Sequence, residues 1–233
     1  MKSNQRSRNF IGDYLNPEFT NLIDKDCIKT IVEVGSRDCM DAIDLAEYYE
    51  NSVVLCFECN PETINQCYVN LQMAPFQTRS RIHFFPFGVG SKEEARFFYK
   101  WKDKRNPGAS SFLNRKKDTY NQEQTNEKIQ IKRLDDVLVE CGVTKIDLLC
   151  LDIQGFELEA LRGLGNLLKE VTYIITETPR GESLYEAPNE EEVMSFFHQH
   201  GFKVLKSTRE NLYEDNILLV RFEKQYEEKN NFN

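Results

Sequence analysis

Short runs of β-branched and aromatic residues alternate along this chain with longer amphipathic runs, and this rhythm limits the possible folds more than any single motif. It is typical of a parallel β-sheet whose strands are joined by crossover helices on both faces. A polar turn joins the last two strand-like runs, which predicts an antiparallel hairpin at the end of the sheet. The seven predicted strands are Thr30–Val34, Val53–Glu58, Arg81–Phe87, Ile146–Asp152, Thr172–Glu177, Phe202–Ser207 and Asn216–Phe222. The predicted helices are Asp41–Glu50, Pro61–Leu71, Leu134–Cys141, Glu157–Lys169 and Glu190–Gly201.

One region, residues 93–128, breaks this rhythm. An aromatic strand-like run, Arg96–Trp101, is followed there by a long polar stretch. Connections of this length are often lids or binding loops, although a surface loop without function is an equal alternative. We interpret 93–128 as an insertion or lid over the edge of the sheet. The 233 residues then form a single domain over 1–233, with an N-terminal segment at 1–28 and a flexible polar tail at 224–233.

Charge and composition exclude several classes of protein. The net charge of −8 repels phosphate backbones, so we expect no nucleic-acid partner, and we interpret the basic and aromatic segment Tyr99–Lys117 as a solvated lid. Seven cysteines lie mostly in apolar runs without paired CxxC units, which indicates reduced packing residues. No apolar run reaches the about 18 residues of a membrane span. The expected location is cytoplasmic.

A nucleoside site is predicted at the ends of the first two strands. Glu33 precedes Gly35 by two residues at a strand-to-helix turn, where glycine lets the backbone approach a ligand closely. Many α/β proteins share such a turn. Glu58 ends the second strand about twenty residues later, where a carboxylate can accept hydrogen bonds from both ribose hydroxyls. The segment Phe85–Ser91 can form a wall for an adenine ring. No GxxxxGK motif occurs, so a triphosphate is disfavoured.

Carboxylates also end two neighbouring strands of the predicted sheet. Asp152 follows a nearly uniform apolar run and Glu177 ends the next strand, while Glu157 opens a helix. A carboxylate at the end of a buried strand is costly without partners. We predict that Asp152 acts as the base or orients the acceptor, with Glu177 second and Glu157 as an alternative. Two other roles stay open: binding of Mg²⁺ or Mn²⁺, and simple capping of backbone N–H groups.

Taken together, these motifs resemble the FkbM family of class I methyltransferases, over roughly Ile31 to Phe222. The resemblance rests on EVGSRD at 33–38, FECNP at 57–61, FGVG at 87–90, ASSF at 109–112, LDD at 134–136, LDIQGFE at 151–157 and ITE at 175–177. It implies a Rossmann-like α/β fold and S-adenosylmethionine as the methyl donor. The implied cofactor-binding residues are Glu33, Gly35, Ser36, Arg37, Asp38, Glu58, Cys59, Asn60, Phe87, Gly88 and Asp152.

The family also suggests what is methylated. FkbM relatives commonly modify sugars, polyketides and related hydroxylated molecules, so we expect O-methylation of a carbohydrate hydroxyl, with a deoxyhexose such as rhamnose as the first guess. The candidate acceptor-binding residues are Trp101, Ser110, Ser111 and Gln154. Two alternatives stand beside this hypothesis: an NAD-dependent oxidoreductase, which would have a fuller GxGxxG loop, and a non-catalytic module that only binds the cofactor. The oligomeric state stays open.

Overall fold

A computed structural model describes residues 13–101, 107–116 and 124–222. The strands are β1 (Thr30–Val34), β2 (Val53–Phe57), β3 (Ile82–Phe85), β4 (Gly88–Gly90), β5 (Glu94–Trp101), β6 (Gln124–Arg133), β7 (Ile146–Leu151), β8 (Val171–Pro179), β9 (Phe202–Arg209) and β10 (Glu214–Arg221). The α-helices are α1 (Pro17–Thr20), α2 (Met40–Tyr48), α3 (Ile64–Met73), α4 (Phe76–Arg79), α5 (Leu134–Glu140), α6 (Glu157–Gly163) and α7 (Glu190–Gln199). Short 3₁₀ helices lie at Asp13–Leu15, Lys25–Cys27, Pro107–Ala109 and Gly165–Glu170.

The main sheet has seven strands in the order β3-β2-β1-β7-β8-β10-β9. The first five are parallel, and β10 runs antiparallel to both β8 and β9. The chain runs from β1 through β2 to β3 on one side of β1, and it later returns to β7 on the other side. Such a switch point opens a crevice at the carboxyl ends of the strands. The predicted fold class, a mostly parallel Rossmann-like sheet with a C-terminal antiparallel hairpin, is confirmed.

Helices cover both faces of this sheet, because the central strands are apolar on both sides. Along β7, Leu149 and Leu151 pack into one core, with α5, α6 and α7, whereas Leu148 and Cys150 pack into the other, with α1, α2 and α3. Every residue of β7 is buried. A strand with two buried faces reads as an unbroken hydrophobic run, which is why this strand was easy to predict.

Most predicted elements differ from the observed ones by one to three residues at an end, and two are shortened with a clear physical cause. The strand expected over Arg81–Phe87 ends before Pro86, which lacks the N–H that would continue a ladder, and the chain then enters β4 in a different sheet. The helix expected over Glu157–Lys169 ends at Gly163 and gives way to a 3₁₀ helix. Gly165 has a φ of +50°, which terminates the α-helix at this point.

Residues 93–128 contain more regular structure than the single strand-like run that the sequence indicated. This region contains β5 and the first part of β6, which pair over eight residues and form a second sheet in the order β4-β6-β5. The strand β6 is polar except for its partly or fully buried isoleucines, so its pattern is weak in the sequence. Residues 102–106 and 117–123 of the insertion and the predicted tail at 224–233 lie outside the described residues. No helix within the described ranges is long and apolar enough to cross a membrane.

Candidate active site

A cleft of about 360 Å³ opens at the carboxyl edge of the main sheet, a volume typical of small-molecule sites. Most of the predicted site residues line it: Gly35, Arg37, Glu58, Cys59, Asn60, Phe87, Gly88, Ser110, Asp152, Gln154 and Glu177. Five others do not line the cleft: Glu33, Ser36, Asp38, Ser111 and Glu157. Trp101 ends β5, but its side chain is not among the described parts of the chain.

The turn after β1 is held tightly against the ends of β2 and β7. The Gly35 and Ser36 N–H groups donate to the Phe57 carbonyl, at 2.9 and 3.0 Å, and the Asp152 N–H donates to the Val34 carbonyl at 3.1 Å. Gly35 has a φ of +96°, and a Cβ at this position would lie only 1.9 Å from the Asp152 carbonyl oxygen. Only glycine fits there, which explains the motif.

Glu33 lies beneath this turn and supports it. Its side chain is fully buried, and Oε2 accepts a hydrogen bond of 2.5 Å from the Ser36 hydroxyl. Its Oε1 has no hydrogen-bond partner among the described residues. Burial raises the pKa of Glu33 well above its usual range. Buried polar atoms in folded proteins are usually hydrogen-bonded, so Glu33 Oε1 is an exception among the described residues.

Glu58 is almost buried at the end of β2 and accepts three backbone hydrogen bonds. The Arg37 N–H reaches Oε2 at 2.7 Å, and the Cys59 and Asn60 N–H groups reach Oε1 at 2.8 and 2.6 Å. A carboxylate has about four acceptor positions, so roughly one remains, on Oε2. Glu58 can therefore accept one ribose hydroxyl as it stands, and accepting the second hydroxyl would require release of the Arg37 N–H.

The pH dependence of cofactor binding should report on Glu58, because burial raises its pKa to about 7. The carboxylate is ionised above this pH and protonated below it, so its capacity to accept a ribose hydroxyl is lost as the pH falls. Because a group with this pKa is only about 10% ionised at pH 6, we expect S-adenosylhomocysteine to bind up to about tenfold more weakly at pH 6 than at pH 8. Calorimetry across this range measures the change.

Glu58→Gln is the matched control, since it removes this titration and leaves the other buried carboxyl groups in place. Its affinity should be lower at pH 8 and should vary less with pH. A wild-type affinity that stays constant from pH 8 to pH 6 would contradict a ribose-binding role for Glu58.

Aromatic side chains from both sheets form the apolar wall of the cleft. Phe57 stacks on Phe85 at 4.8 Å between ring centroids, and Phe87 packs against both. Phe98 and Phe112 belong to the insertion and also line the cleft. The sequence placed the insertion over the sheet edge but did not single out these last two residues, because an aromatic run does not show which of its rings face the cleft.

A side chain amide joins the two predicted catalytic carboxylates. The Gln154 Nε2 donates to Asp152 Oδ1 at 2.7 Å and to Glu177 Oε2 at 3.0 Å. Tyr185, which is buried, donates its hydroxyl to Gln154 Oε1 at 2.7 Å. Asp152 is exposed and lines the cleft, and Glu177 beside it is partly buried. Desolvation raises the pKa of Asp152, and desolvation together with the Asp152 charge raises the pKa of Glu177 well above its usual range.

The turn after β7 is held in a conformation that is rare for residues other than glycine. Gln154 has a φ of +54°. The Ser111 hydroxyl donates to the Gln154 carbonyl at 2.8 Å, and Glu157 Oε1 accepts from the Ile153 and Gly155 N–H groups, each at 3.1 Å. Strained backbone that is over-determined by its surroundings is common at functional sites. In this structure Ser111 and Glu157 hold the turn.

The cleft is completed by residues that the sequence analysis did not select. The turn between β9 and β10 contributes Glu210, Asn211, Tyr213 and Glu214 to the lining. A signal was available: because β10 is antiparallel to β8, it begins at the edge where the parallel strands end. Asp41, at the start of α2, also lines the cleft, and desolvation raises its pKa to about 6.

The described residues contain no group of three or more His, Cys, Asp or Glu side chains that is arranged to hold a metal ion. The Gln154 amide also donates to both Asp152 and Glu177, where a cation bound by the two carboxylates would compete with it. The observed partner of this carboxylate pair is therefore a hydrogen-bond donor.

The chain is similar in sequence or in fold to several known methyltransferases. One curated relative, the 2-O-methyltransferase NoeI of Sinorhizobium fredii, is 26% identical over 171 residues, which are 67% of this chain and 65% of that protein. The match thus spans slightly less than two thirds of the relative's length. Two solved structures share the fold, each with a TM-score of 0.51. Magnesium protoporphyrin IX methyltransferase ChlM of Synechocystis, with bound S-adenosylmethionine, is 10% identical, with 90% of this chain and 77% of that chain covered. TrmK of M. capricolum, in complex with S-adenosylhomocysteine, is 11% identical, with 91% and 70% covered.

A family model gives the assignment. Residues 34–204 match the methyltransferase FkbM domain, a range that includes the turn after β1, Glu58 and the carboxylate pair. The predicted enzyme class and methyl donor are thereby confirmed, because the domain is that of an S-adenosylmethionine-dependent methyltransferase. The matched family is one of methyltransferases and so does not support the alternative of an NAD-dependent oxidoreductase. The chain belongs to the FkbM family of methyltransferases.

Proposed function

We propose that this protein transfers the methyl group of S-adenosylmethionine to a hydroxyl oxygen of a sugar. The observation that carries the proposal is the pair of carboxylates, Asp152 and Glu177, joined by one amide at the floor of the cleft beside the Gly35 turn. A reaction that releases a proton from a hydroxyl needs an acceptor for that proton at this place.

Held at the Gly35 turn and Glu58, S-adenosylmethionine would supply an electrophilic methyl carbon with its sulfur as the leaving group, and the acceptor hydroxyl would gain the methyl group and give up its proton. Holding the two reactants in line can lower the barrier by roughly 7–11 kcal/mol, whereas a general base contributes about 10²–10⁴-fold. Alignment of the two reactants by the cleft walls should therefore contribute more to the rate acceleration than the general base. The chain's carboxylates take up the hydroxyl proton.

Asp152 is our candidate for the base and Glu177 for its protonated partner. Two carboxyl groups that share one amide donor cannot both ionise easily, and the group with the more strongly raised pKa keeps its proton. Burial and the nearby Asp152 and Glu214 charges raise the pKa of Glu177 well above its usual range. We therefore assign the retained proton to Glu177 and the base role to Asp152, the more exposed of the two. Glu157, which caps the turn after β7, acts by holding that turn.

The chemistry of the cleft supports an uncharged sugar as acceptor. Its acceptor half carries planar polar groups, among them Asn211 and Gln154, that can bind neighbouring hydroxyls, and the half-exposed Tyr213 ring can pack on a sugar face. Ser110, which lines the cleft, can contact the same molecule. The name of the relative NoeI, a 2-O-methyltransferase, supports oxygen as the methylated atom.

The function is tested with S-adenosylmethionine that carries a labelled methyl group, incubated with a panel of acceptors. The panel contains glycosides of deoxyhexoses such as rhamnose and of hexoses, together with oligosaccharides, lipids, RNA and small phenols. We expect a labelled methyl ether on a sugar and no labelling of RNA. Labelling of another class would overturn the sugar assignment, and tight cofactor binding without turnover on any acceptor would favour the non-catalytic alternative.

The same assay tests metal dependence. Because the carboxylate pair is satisfied by the Gln154 amide, we expect a chelator to leave turnover unchanged. Loss of activity with chelator and its return with Mg²⁺ or Mn²⁺ would restore the metal hypothesis.

Acceptor charge should matter, because the described lining of the cleft carries six carboxyl groups, of which we assign only that of Glu177 as protonated, and two arginines. A unit charge about 6 Å from a like charge, at an effective dielectric constant of about 40, costs roughly 1.4 kcal/mol, or tenfold. We therefore expect kcat/KM to be about tenfold lower for a uronic acid than for the hexose that differs only at C6. Paired kinetic measurements check this ratio.

Glu214→Gln should narrow the difference between the two sugars, and Glu191→Gln, on the exposed surface of α7, is the matched control and should not. Equal turnover of the two sugars by the unmodified protein would contradict charge selection and leave the methyl-transfer proposal intact.

A further inference from the structure

Tyr185 lies in the segment between β8 and α7 and is only 2% exposed. Its hydroxyl lies near the Asp152 and Glu177 carboxyl groups, but it has no recorded hydrogen bond to either of them. It donates instead to Gln154 Oε1, at 2.7 Å. The side chain therefore connects to the reacting centre through one intermediary.

The orientation of the Gln154 amide follows from its neighbours. Only the NH₂ group can donate to the Asp152 and Glu177 carboxylates, which leaves the amide oxygen to accept the Tyr185 proton. Both ends of the amide are thus engaged. Without the Tyr185 hydroxyl, Oε1 would lose its donor, and the flexible Gln154 side chain could rotate away to find another.

Tyr185 itself is fixed from two sides. Its segment pairs with the insertion: the Lys116 N–H donates to the Leu184 carbonyl at 2.9 Å, and the Glu186 N–H donates to the Asn114 carbonyl at 3.0 Å. Across the site, a Cβ on Gly155 would approach the Tyr185 Cβ to 3.2 Å. The hydroxyl therefore has a defined position relative to the turn after β7.

We propose that Tyr185 is a positioning residue for methyl transfer. Its hydroxyl holds the Gln154 amide, and the amide in turn holds the Asp152 and Glu177 carboxyl groups in position to contact the acceptor hydroxyl. The inference rests on the proposed function. Tyr185 also links the proposed acceptor site to the insertion, because residues 184–186 are hydrogen-bonded to residues 114–116 of the insertion.

Kinetics of Tyr185→Phe, Gln154→Met and the double variant test this link. Tyr185→Phe keeps the ring and its packing, and Gln154→Met keeps the length of the side chain. We expect kcat to fall about tenfold in Tyr185→Phe, the cost of losing one buried hydrogen bond of roughly 1.4 kcal/mol, and at least as far in Gln154→Met, which loses all three hydrogen bonds of the amide. The affinity for S-adenosylhomocysteine should change little in either variant. In the double variant, kcat should fall no further than in Gln154→Met alone.

Tyr49→Phe is the matched control. The Tyr49 hydroxyl is buried on the far side of the sheet core and finds no hydrogen-bond partner among the described residues, so its removal should leave kcat unchanged. Additive effects of the Tyr185 and Gln154 changes, or a wild-type kcat in Tyr185→Phe, would overturn the proposal.

A measurement without an acceptor separates this inference from the proposed function. The Gln154 side-chain amide gives an NMR signal that is identified by its absence in Gln154→Met. We expect this signal to shift in Tyr185→Phe and to stay in place in Tyr49→Phe. An unchanged Gln154 signal in Tyr185→Phe would refute the link, whether or not any sugar is methylated.

Discussion

Asp152→Asn is expected to lower turnover by about 10²–10⁴-fold, the usual contribution of a general base, while S-adenosylhomocysteine binds nearly as well as before. Asparagine keeps the shape of the side chain and can still accept from the Gln154 amide, but it cannot take a proton from a hydroxyl. Single-turnover kinetics at saturating acceptor measure the chemical step, and calorimetry measures cofactor affinity.

Asp147→Asn is the matched control because Asp147 lies near the opposite end of the same strand, β7. Its carboxylate accepts the Lys29 and Thr30 N–H groups and pairs with Lys145 at 2.6 Å, far from the cleft lining. This change should lower stability and leave turnover of the folded protein intact. Normal turnover by folded Asp152→Asn, with the chemical step rate-limiting, would remove Asp152 as the base and direct attention to Glu177.

Gly35→Ala adds one methyl group at the cleft and should lower the stability of the fold strongly. The new Cβ would lie 1.9 Å from the Asp152 carbonyl oxygen, which is backbone and can move only if β1 and β7 separate. The φ of +96° adds strain of its own. We expect unfolding to become easier by about 2–5 kcal/mol, from a steric cost of about 1–3 and a conformational cost of about 1–2 kcal/mol. Thermal unfolding measures the loss of stability.

Gly142→Ala separates the two causes. Gly142 has a φ of +76°, but a Cβ there meets nothing within 4 Å, so only the conformational cost of about 1–2 kcal/mol applies. S-adenosylhomocysteine should bind the Gly142 variant normally and the Gly35 variant much more weakly. Equal losses of stability in the two variants would mean that the close approach of Gly35 to Asp152 is not a constraint in solution.

The sequence alone was sufficient for the main sheet and for the part of the cleft formed by Gly35, Glu58 and Asp152. The strands β1 and β7 are apolar on both faces, which identifies buried parallel strands, and parallel strands deliver their carboxyl ends to one edge. Gly35, Glu58 and Asp152 each follow such a strand directly, so their meeting at that edge follows from local pattern plus one rule of topology. The family resemblance rests on the same residues.

Only the tertiary structure decided the rest of the cleft lining. Tyr185 and the β9–β10 turn lie in segments whose local sequence carries no period, and each reaches the cleft through pairing with a partner distant in the chain. Phe98 lies in a run that the sequence did indicate as strand-like, but only the pairing of β5 with β6 places it at the cleft. The roles of Ser111 and Glu157 also depended on geometry, because a hydroxyl or carboxylate near a site can face the ligand or hold the backbone, and sequence spacing does not distinguish these. Short-range patterns determine which elements form, whereas contacts between non-adjacent segments determine which side chains share a cleft.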